Sequence, residues 1–239
     1  MKRLQTIFAF FLALFLYSCN NEPAKEEAKT SDTTAAVAAA PEPVKPAFNP
    51  FKIVVVQHKV KDFAKSEAGY FNSDSLRMPF GITHFLMGRD LRDTNMIFVV
   101  EKIEDVDKAK SYFNQPKVKD AMMKAGVKSA PGYNYGVMVR FDETAPSTGL
   151  QLGISHHVKD YDAWLKVFDA EGTATRAANG MIDRGIARNF YDSNTVSIFF
   201  AVSDSAKARA RVNSPELKKV MTDAGVDGTP TIRFYKAVK

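Results

Sequence analysis

The chain has 239 residues, a formal net charge of +6, 45% apolar residues, 25% charged residues and a single cysteine. This composition is that of an ordinary soluble protein, and one cysteine excludes an intramolecular disulfide. Once the N-terminus is set aside, about 190 residues remain, enough for two domains of about 90 residues or for one fused core.

The N-terminus carries the features of an export signal. Lys2 and Arg3 precede an apolar run from Ile7 to Leu16. A run of about ten residues fits the core of a signal peptide and is too short to span a bilayer. We therefore predict a signal peptide over residues 1–18.

The run Leu16-Tyr17-Ser18-Cys19 resembles the lipobox of bacterial lipoproteins. The resemblance implies that Cys19 is acylated and becomes the first residue after cleavage. Several acyl chains anchor stably, since each buried methylene contributes about 0.8 kcal/mol. The expected partner is then the lipid bilayer, and the expected location is the cell envelope, on the outer membrane, facing the periplasm or the cell surface. The alternative is an uncleaved anchor with an incidental cysteine.

Residues 19–50 are rich in Ala, Glu, Lys, Thr and Pro. They contain too little apolar surface to offset chain entropy, so we predict a disordered tether. Five acidic residues and three lysines give the tether a net charge of −2, which leaves the following part of the chain basic. A basic body favours anionic ligands or a membrane surface; the alternative is a solvated surface that happens to be basic.

The rest of the chain is one unit written twice. Fourteen positions between Arg89 and Pro131 carry the same residue ninety-nine positions later, without a gap. This match is too long to arise by chance, and its period is too long for a solenoid repeat. It indicates two copies, at residues 51–145 and 146–239.

Each copy contains four runs with the apolar, β-branched composition of strands. Asp62 and Asp160 follow the first strand as helix N-caps, and Asn179-Gly180 ends the first helix of the second copy. The predicted strands are 51–60, 82–92, 96–103 and 133–141 in the first copy, and 150–158, 182–191, 195–202 and 231–238 in the second.

A second helix in each copy begins after Asp105 or Asp204. It breaks before a proline, Pro116 or Pro215, which opens the next helical segment, where the missing N–H is not needed. Each helix closes on Ala-Gly-Val, with the glycine as a left-handed C-cap. The order is βαββαβ, the ferredoxin-like unit.

A longer pattern in the second copy carries a family resemblance. It comprises Val158-Lys159-Asp160-Tyr161, Trp164, Phe168-Asp169, Arg176, Gly180, Asp192, Asn194, residues 204–226 and Pro230. This pattern resembles the dimeric α+β barrel superfamily, which includes antibiotic-biosynthesis-monooxygenase-like domains. The resemblance covers residues 51 to 239. It implies an α+β fold in which two tandem ferredoxin-like βαββαβ repeats form an intrachain pseudo-dimeric barrel, so that the protein is a monomer.

The first candidate site lies in the second copy. Asp169 and Arg176 are seven residues apart on one side of a predicted helix, where an ionised pair near Trp164 could orient a polar ligand. The alternative is a surface salt bridge. In the first copy Arg77 matches Arg176 and Ser66 replaces Trp164, so we expect unequal halves with the site in the second copy.

The second candidate is a matched pair of histidines. His58 and His156 each lie on the strand face that carries the apolar residues two and four positions earlier. A partly buried imidazole is a plausible general base, and the alternative is a structural histidine with its hydrogen bonds satisfied. His157 points to the opposite face, so the sequence predicts no metal site there.

One arginine per copy, Arg89 or Arg188, lies near a turn and could bind an anion or cap the barrel edge; pairing to Asp93 or Asp192 is the simpler interpretation. The sequence contains no phosphate-binding loop, dinucleotide fingerprint or nucleophile elbow, and we predict no cofactor. Nucleic acid is not expected, because an exported, lipid-anchored protein rarely meets it.

Three functions remain open. The leading hypothesis is a lipid-anchored extracytoplasmic binding or accessory protein that holds a small aromatic or anionic ligand, or a protein partner. The alternative implied by the resemblance is a cofactor-independent monooxygenase or isomerase, with His156, Asp169 and Arg176 as catalytic residues and Trp164, His58, Arg77 and Arg188 as ligand contacts. The third is a purely structural or interaction role.

Overall fold

The computed structural model describes residues 48–238. The predicted signal peptide, Cys19 and tether residues 19–47 lie outside the described residues. Within 48–238 no helix has the length and apolar character needed to cross a bilayer.

Each copy contains four strands and four helices, and the first copy adds a 3-10 turn at Met78–Phe80. The strands are β1 (Phe51–Lys59), β2 (Ile82–Asp90), β3 (Met96–Ile103), β4 (Gly132–Phe141), β5 (Gly149–Val158), β6 (Met181–Asn189), β7 (Thr195–Val202) and β8 (Val226–Val238). The helices are α1 (Phe63–Phe71), α2 (Asp74–Arg77), α3 (Val106–Asn114), α4 (Pro116–Lys124), α5 (Tyr161–Glu171), α6 (Thr173–Ala178), α7 (Ser205–Val212) and α8 (Pro215–Asp223).

The eight strands form one closed barrel in the order β1-β3-β2-β8-β5-β7-β6-β4. Within each copy the sheet order is that of a ferredoxin-like unit, and the two sheets join at β2–β8 and β4–β6. Every neighbouring pair is antiparallel. The predicted fold class, a barrel closed within one chain by two tandem repeats, is confirmed.

The predicted helix caps are confirmed. The side chain of Asp62 accepts a hydrogen bond from the Lys65 amide, and Asp160 accepts one from the Ala163 amide. Such a cap contributes about 1 kcal/mol. Asp105 and Asp204 cap α3 and α7 in the same way, and a proline opens both α4 and α8.

Several predicted element boundaries were wrong. The first helix of the second copy splits into α5 and α6 at Gly172, whose φ of 80° and ψ of 149° interrupt the helix. Strands β2 and β6 end early, because the side chains of Asp90 and Asn189 accept hydrogen bonds from the backbone amides two and three residues further on and begin a turn. Strand β8 begins five residues early, because Val226 pairs with Val158.

The helices cover the outside of the barrel. One apolar core lies beneath the helices of each copy, and these cores stabilise the fold by removing apolar area from water. The buried residues are Val54, Val56, Ile82, Ile103, Val106, Ala109, Tyr112, Phe113, Val118 and Tyr135 in the first core, and Leu152, Ile154, Val158, Trp164, Met181, Ile186, Val196, Ile198, Phe200, Ala208 and Phe234 in the second.

Two matching β-bulges change which side chains enter the barrel. The register of β2 shifts between His84 and Leu86, and that of β6 shifts between Asp183 and Gly185. The extra residue of each bulge is Phe85 or Arg184, so alternation counted from the two ends of its strand gives opposite faces for it. Both side chains line the interior.

Candidate functional site

The barrel encloses a cavity of about 330 Å³. That volume lies at the lower end of the range of small-molecule sites, about 300–1,000 Å³. The lining residues are Val55, Gln57, Phe85, Leu86, Phe98, Val100, Asn134, Met138, Phe141, Gly153, Ile154, Ser155, Arg184, Asn189, Thr195, Ser197, Phe199, Thr231, Arg233 and Tyr235.

The two ends of the cavity differ in polarity. Because neighbouring strands are antiparallel, β1, β2, β5 and β6 all start at one end of the barrel, and the other four strands start at the opposite end. At the end where β3, β4, β7 and β8 start, amide and hydroxyl side chains line the cavity. Two of these side chains, Asn134 and Thr231, are exposed to solvent. The cavity is therefore accessible from this polar rim.

Aromatic rings fill the other end. Phe48 packs against Phe51 with ring centroids 5.9 Å apart, Phe51 against Phe85 at 5.5 Å, and Phe85 against Phe141 at 5.0 Å. We call this group the phenylalanine floor. It makes the cavity a pocket with one polar entrance and one apolar, closed end.

Two cations lie beside the floor. Lys102 is partly exposed, and its Nζ lies 4.4 Å from the centre of the Phe51 ring and 5.0 Å from that of the Phe85 ring. The second cation is buried. Arg184 is 6% exposed, and its guanidinium carbon lies 5.3 Å from the centre of the Phe141 ring. Its Nη1 donates to Gln151 Oε1 at 3.1 Å. Gln151 is itself fully buried and donates through Nε2 to the carbonyls of Pro146 and Thr148. The amide nitrogen is thereby fixed, which leaves only the amide oxygen for the arginine.

Arg184 has no anionic partner among residues 48–238. No carboxylate lies within ion-pair distance, and Nε is buried without a hydrogen-bond acceptor. Burial lowers the pKa of the guanidinium, which still remains protonated at neutral pH. The Phe141 ring contributes about 0.5–2 kcal/mol, less than the several kcal/mol that an unpaired buried charge costs.

A second, smaller pocket of about 60 Å³ lies between the sheet and helices of the first copy. Glu101 on β3 is 2% exposed and accepts a hydrogen bond from the Tyr70 hydroxyl at 3.1 Å. Arg77 Nε lies 3.6 Å from the same carboxylate oxygen. Burial raises the pKa of Glu101 to about 7, although Arg77 and Tyr70 partly oppose it.

Further polar groups complete this network. Tyr70 Oη is 3.1 Å from His84 Nδ1, and burial raises the Tyr70 pKa. Arg77 also pairs with Asp74, donates to the Tyr70 carbonyl and lies over the Tyr70 ring. His58 lines the same pocket. The first copy therefore carries a buried acid surrounded by titratable groups.

The equivalent pocket of the second copy, also about 60 Å³, is mostly apolar. Phe200 stands where the first copy has Glu101, and Trp164 stands where it has Ser66. Trp164 is buried and stacks on Phe168 at 5.3 Å. The halves are unequal, but the buried strand carboxylate lies in the first copy, whereas His156, Glu171 and Arg176 line the pocket of the second.

The predicted pairing of Asp169 with Arg176 was wrong. Asp169 is exposed and makes two hydrogen bonds to Arg140, at 2.6 and 3.1 Å. Arg176 is buried and makes a bidentate pair with Asp183 at 2.8 and 2.6 Å. The helix break at Gly172 separates the two predicted partners, since it changes the direction of the chain between them. Arg77 and Arg176 thus each find a carboxylate, but from different strands.

Neither matched histidine has its hydrogen bonds satisfied. His58 Nδ1 and both ring nitrogens of His156 are buried without a partner. Burial lowers the pKa of each ring to about 4. Both imidazoles are neutral at pH 7, so each is a weak base there. His157 pairs with Asp227 at 2.7 Å outside the barrel.

The turn arginines bind backbone carbonyls rather than aspartates. Arg188 Nε donates to the Ser193 carbonyl at 2.7 Å, and the guanidinium carbon lies 3.8 Å from the centre of the Tyr161 ring. Arg89 donates to the Thr94 carbonyl and lies above the Phe63 ring. The predicted pairing to Asp93 or Asp192 was therefore wrong.

Sequence reasoning missed Arg184 and Glu101. Each interrupts an apolar strand at a position where the other copy has phenylalanine: Phe85 matches Arg184, and Phe200 matches Glu101. The available signal was a charged residue in one copy at a position where the other copy has an aromatic residue. Residues 48–238 hold no group of three or more metal-binding side chains.

No protein-family model matches the chain, and no curated protein sequence matches it. Solved structures do match. An anthrone oxidase-like protein aligns over 79% of this chain and 92% of its own with 10% identity and a TM-score of 0.52. The chain has the dimeric α+β barrel fold. A provisionally named monooxygenase of Fusobacterium nucleatum subsp. nucleatum aligns over 80% of this chain and 93% of its own, with 12% identity and a TM-score of 0.50.

A provisionally named chlorite dismutase gives the same score of 0.50, with 12% identity over 80% of this chain and 95% of its own. Each alignment covers more of the chain than one copy occupies, so it spans both halves of the barrel. At these identities the similarity establishes the fold and leaves the activity to the site itself.

Proposed function

We propose that this dimeric α+β barrel binds a small, largely apolar molecule in its interior cavity. The observation that carries the proposal is the 330 Å³ space itself. A barrel of eight strands is just wide enough for side chains to fill it or for one small ligand to occupy it. Here glycine, serine and threonine replace bulky residues on the interior face of the second copy and leave room.

Gly153 shows how the space arises. It lies on β5 opposite Phe199 on β7, and a Cβ added there would find the Tyr235 ring at 3.8 Å and the Phe199 ring at 4.0 Å. These are ordinary contact distances, so one methyl group fits. A longer side chain would continue into the cavity.

We further propose that the protein acts at the cell envelope, anchored to a bilayer through acylated Cys19. The support is the signal-peptide and lipobox pattern of residues 1–19. A barrel that closes within one chain needs no second subunit, which supports a monomer.

The binding proposal is tested by filling the cavity. The neutral probe phenylnaphthylamine should fluoresce on entering the wild-type barrel. At a hundredfold excess over Kd it should stabilise the fold by about 2.7 kcal/mol. Gly153→Leu should abolish both effects and leave the protein folded, whereas the matched control Gly153→Ala should keep them. Equal probe binding by wild type and Gly153→Leu would place the probe outside the barrel and contradict the proposal.

A second candidate function is proton-transfer catalysis of the cofactor-independent monooxygenase or isomerase type, in the pocket of the first copy. The observation that favours it is Glu101, whose pKa of about 7 suits a general base near neutral pH. This moves the candidate base from His156, whose pKa lies at about 4. The Tyr70 hydroxyl and Arg77 are placed to orient a substrate oxygen.

The catalytic candidate is tested with an anthrone, the class named for one structural neighbour. Because the pocket holds only about 60 Å³, less than a small-molecule site, this candidate also requires the helices over the pocket to move apart. Wild type should consume oxygen with anthrone, and Glu101→Gln should lose this activity while keeping or raising its thermal stability, since it removes a buried acid. Phe200→Leu, at the equivalent position of the second copy, serves as the control. No oxygen uptake by wild type, or full activity in Glu101→Gln, would reject this candidate.

A further inference from the structure

We propose that the ligand of the barrel is a monocarboxylate with an apolar body, and that its carboxylate binds Arg184 at the closed end. This inference rests on the proposed binding function and specifies its ligand. It follows from four observations on the cavity wall.

The first is a missing counter-charge. The groups that face Arg184 are neutral: Gln151 is an amide, Tyr235 is a phenol whose pKa burial raises to about 12, and Phe141 is a hydrocarbon ring. A buried cation normally has an anionic partner. Here residues 48–238 supply none, so the partner has to come from outside the described chain.

The second observation is the set of donors that remain. Nη1 is occupied by Gln151, whereas Nε has no acceptor and Nη2 donates to no described residue. These two nitrogens lie on one edge of the guanidinium, and such an edge matches the two oxygens of a carboxylate. Gln151 holds the opposite side of the group and fixes its plane.

The third observation is the charge balance. The other arginine on the cavity wall, Arg233, has its Nε 3.6 Å from an Asp90 carboxylate oxygen. Lys102, over the floor rings, is partly exposed and is not one of the lining residues. Arg184 is therefore the one lining cation without an ion pair among residues 48–238, and a carboxylate neutralises it. A phosphate, with about −1.5 to −2 charges at pH 7, would leave excess negative charge in an apolar site.

The fourth observation is the apolar belt between Arg184 and the rim, which Leu86, Phe98, Met138 and Phe199 form. A carboxylate at the floor places the attached hydrocarbon in this belt. The bulge position of the first copy holds Phe85 instead of arginine. The barrel consequently binds one ligand, carboxylate first, with the other end of the molecule toward the polar rim.

The test compares two probes of nearly the same shape, phenylbutyrate and phenylbutanamide, by isothermal titration calorimetry and by displacement of phenylnaphthylamine. Wild type should bind one phenylbutyrate per chain, at least tenfold more tightly than the amide. Arg184→Met should remove this preference by weakening the carboxylate. It should bind the amide as well as wild type does, which also shows that it folds. Arg209→Met, the control at an exposed arginine on α7 outside the cavity, should keep the preference.

The outcomes separate the two proposals. If neither probe displaces phenylnaphthylamine or binds wild type, the barrel is not a site for such ligands and the proposed function fails. If both probes bind wild type with equal affinity, the cavity is a binding site but the carboxylate inference is overturned. Retention of the carboxylate preference in Arg184→Met would overturn it as well.

Discussion

Replacing His156 by phenylalanine should stabilise the protein at every pH, and by more in acid. The imidazole is buried, its ring centroid is 5.6 Å from that of Trp164, and neither nitrogen has a hydrogen-bond partner. An unsatisfied buried polar group costs about 1–3 kcal/mol. Phenylalanine keeps a ring in the same apolar surroundings and removes this cost.

The acid dependence follows from the pKa. Burial lowers the His156 pKa from 6.5 to about 4, so between these values the unfolded chain binds more protons than the folded one. The contribution that the neutral His156 ring makes to the free energy of unfolding is fully present above pH 6.5 and is lost as the pH falls toward 4. From pH 7 to pH 5 this one ring should cost wild type about 2 kcal/mol, at 1.36 kcal/mol per pKa unit.

Other groups titrate in the same range. Burial also lowers the pKa of His58, so this ring too lowers the stability of the folded protein as the pH falls. Glu101 acts oppositely, because its folded pKa of about 7 lies above its ordinary 4.5, and the folded protein therefore gains stability from it as the pH falls. The curve of wild type alone mixes these effects. The difference between wild type and His156→Phe isolates one ring.

The measurement is urea unfolding at pH 7 and pH 5, followed by the fluorescence of Trp164, the single tryptophan of the chain. The stability difference between His156→Phe and wild type should grow by about 2 kcal/mol between the two pH values. His157→Gln, at the exposed neighbour, should show no comparable growth. A difference that stays constant with pH would refute the argument that His156 is neutral in the folded protein.

Two further substitutions test the fold and the surface. Gly180→Ala should lower the free energy of unfolding by more than about 2 kcal/mol in chemical denaturation, because φ is +76° and a Cβ would lie 2.4 Å from the Asp204 carbonyl oxygen. Gly81→Ala should lower it by less, because the added Cβ meets a flexible glutamate side chain. Equal losses in the two variants would contradict the steric argument. Asp169→Ala should change stability by less than about 1 kcal/mol, because its pair with Arg140 is exposed, and a larger loss would indicate a buried role.

Much of the fold could be predicted because its signals are local. An aspartate before a helix accepts the amide three residues on wherever the helix lies, so Asp62 and Asp160 were interpretable without the structure. The repeat then showed that the chain contains two equivalent sheets. Each sheet has one face that its own helices do not cover, and two such sheets can close a barrel. Helix α5 was predicted too long because Gly172 ends it by a conformation that the surrounding residues do not signal.

The candidate site could not be predicted in the same way, since its charges pair across the sheet. Arg176 lies seven residues from Asp169 and also seven from Asp183, and only the direction of the chain after Gly172 selects the second. Glu101 is separated by more than twenty residues from Arg77, the cation beside it. Spacing along the chain contains no information about such contacts.

The sequence by itself determined two ferredoxin-like copies, their caps and the barrel that they close. Tertiary structure decided what lies inside that barrel. Met181 and Ile186 on β6 both lie under the helices. Alternation counted back from Ile186 places Arg184 on their face, and alternation counted on from Met181 places it on the opposite face. The bulge between Asp183 and Gly185 decides this, because its extra residue changes the face between the two ends of the strand, and Arg184 lines the cavity.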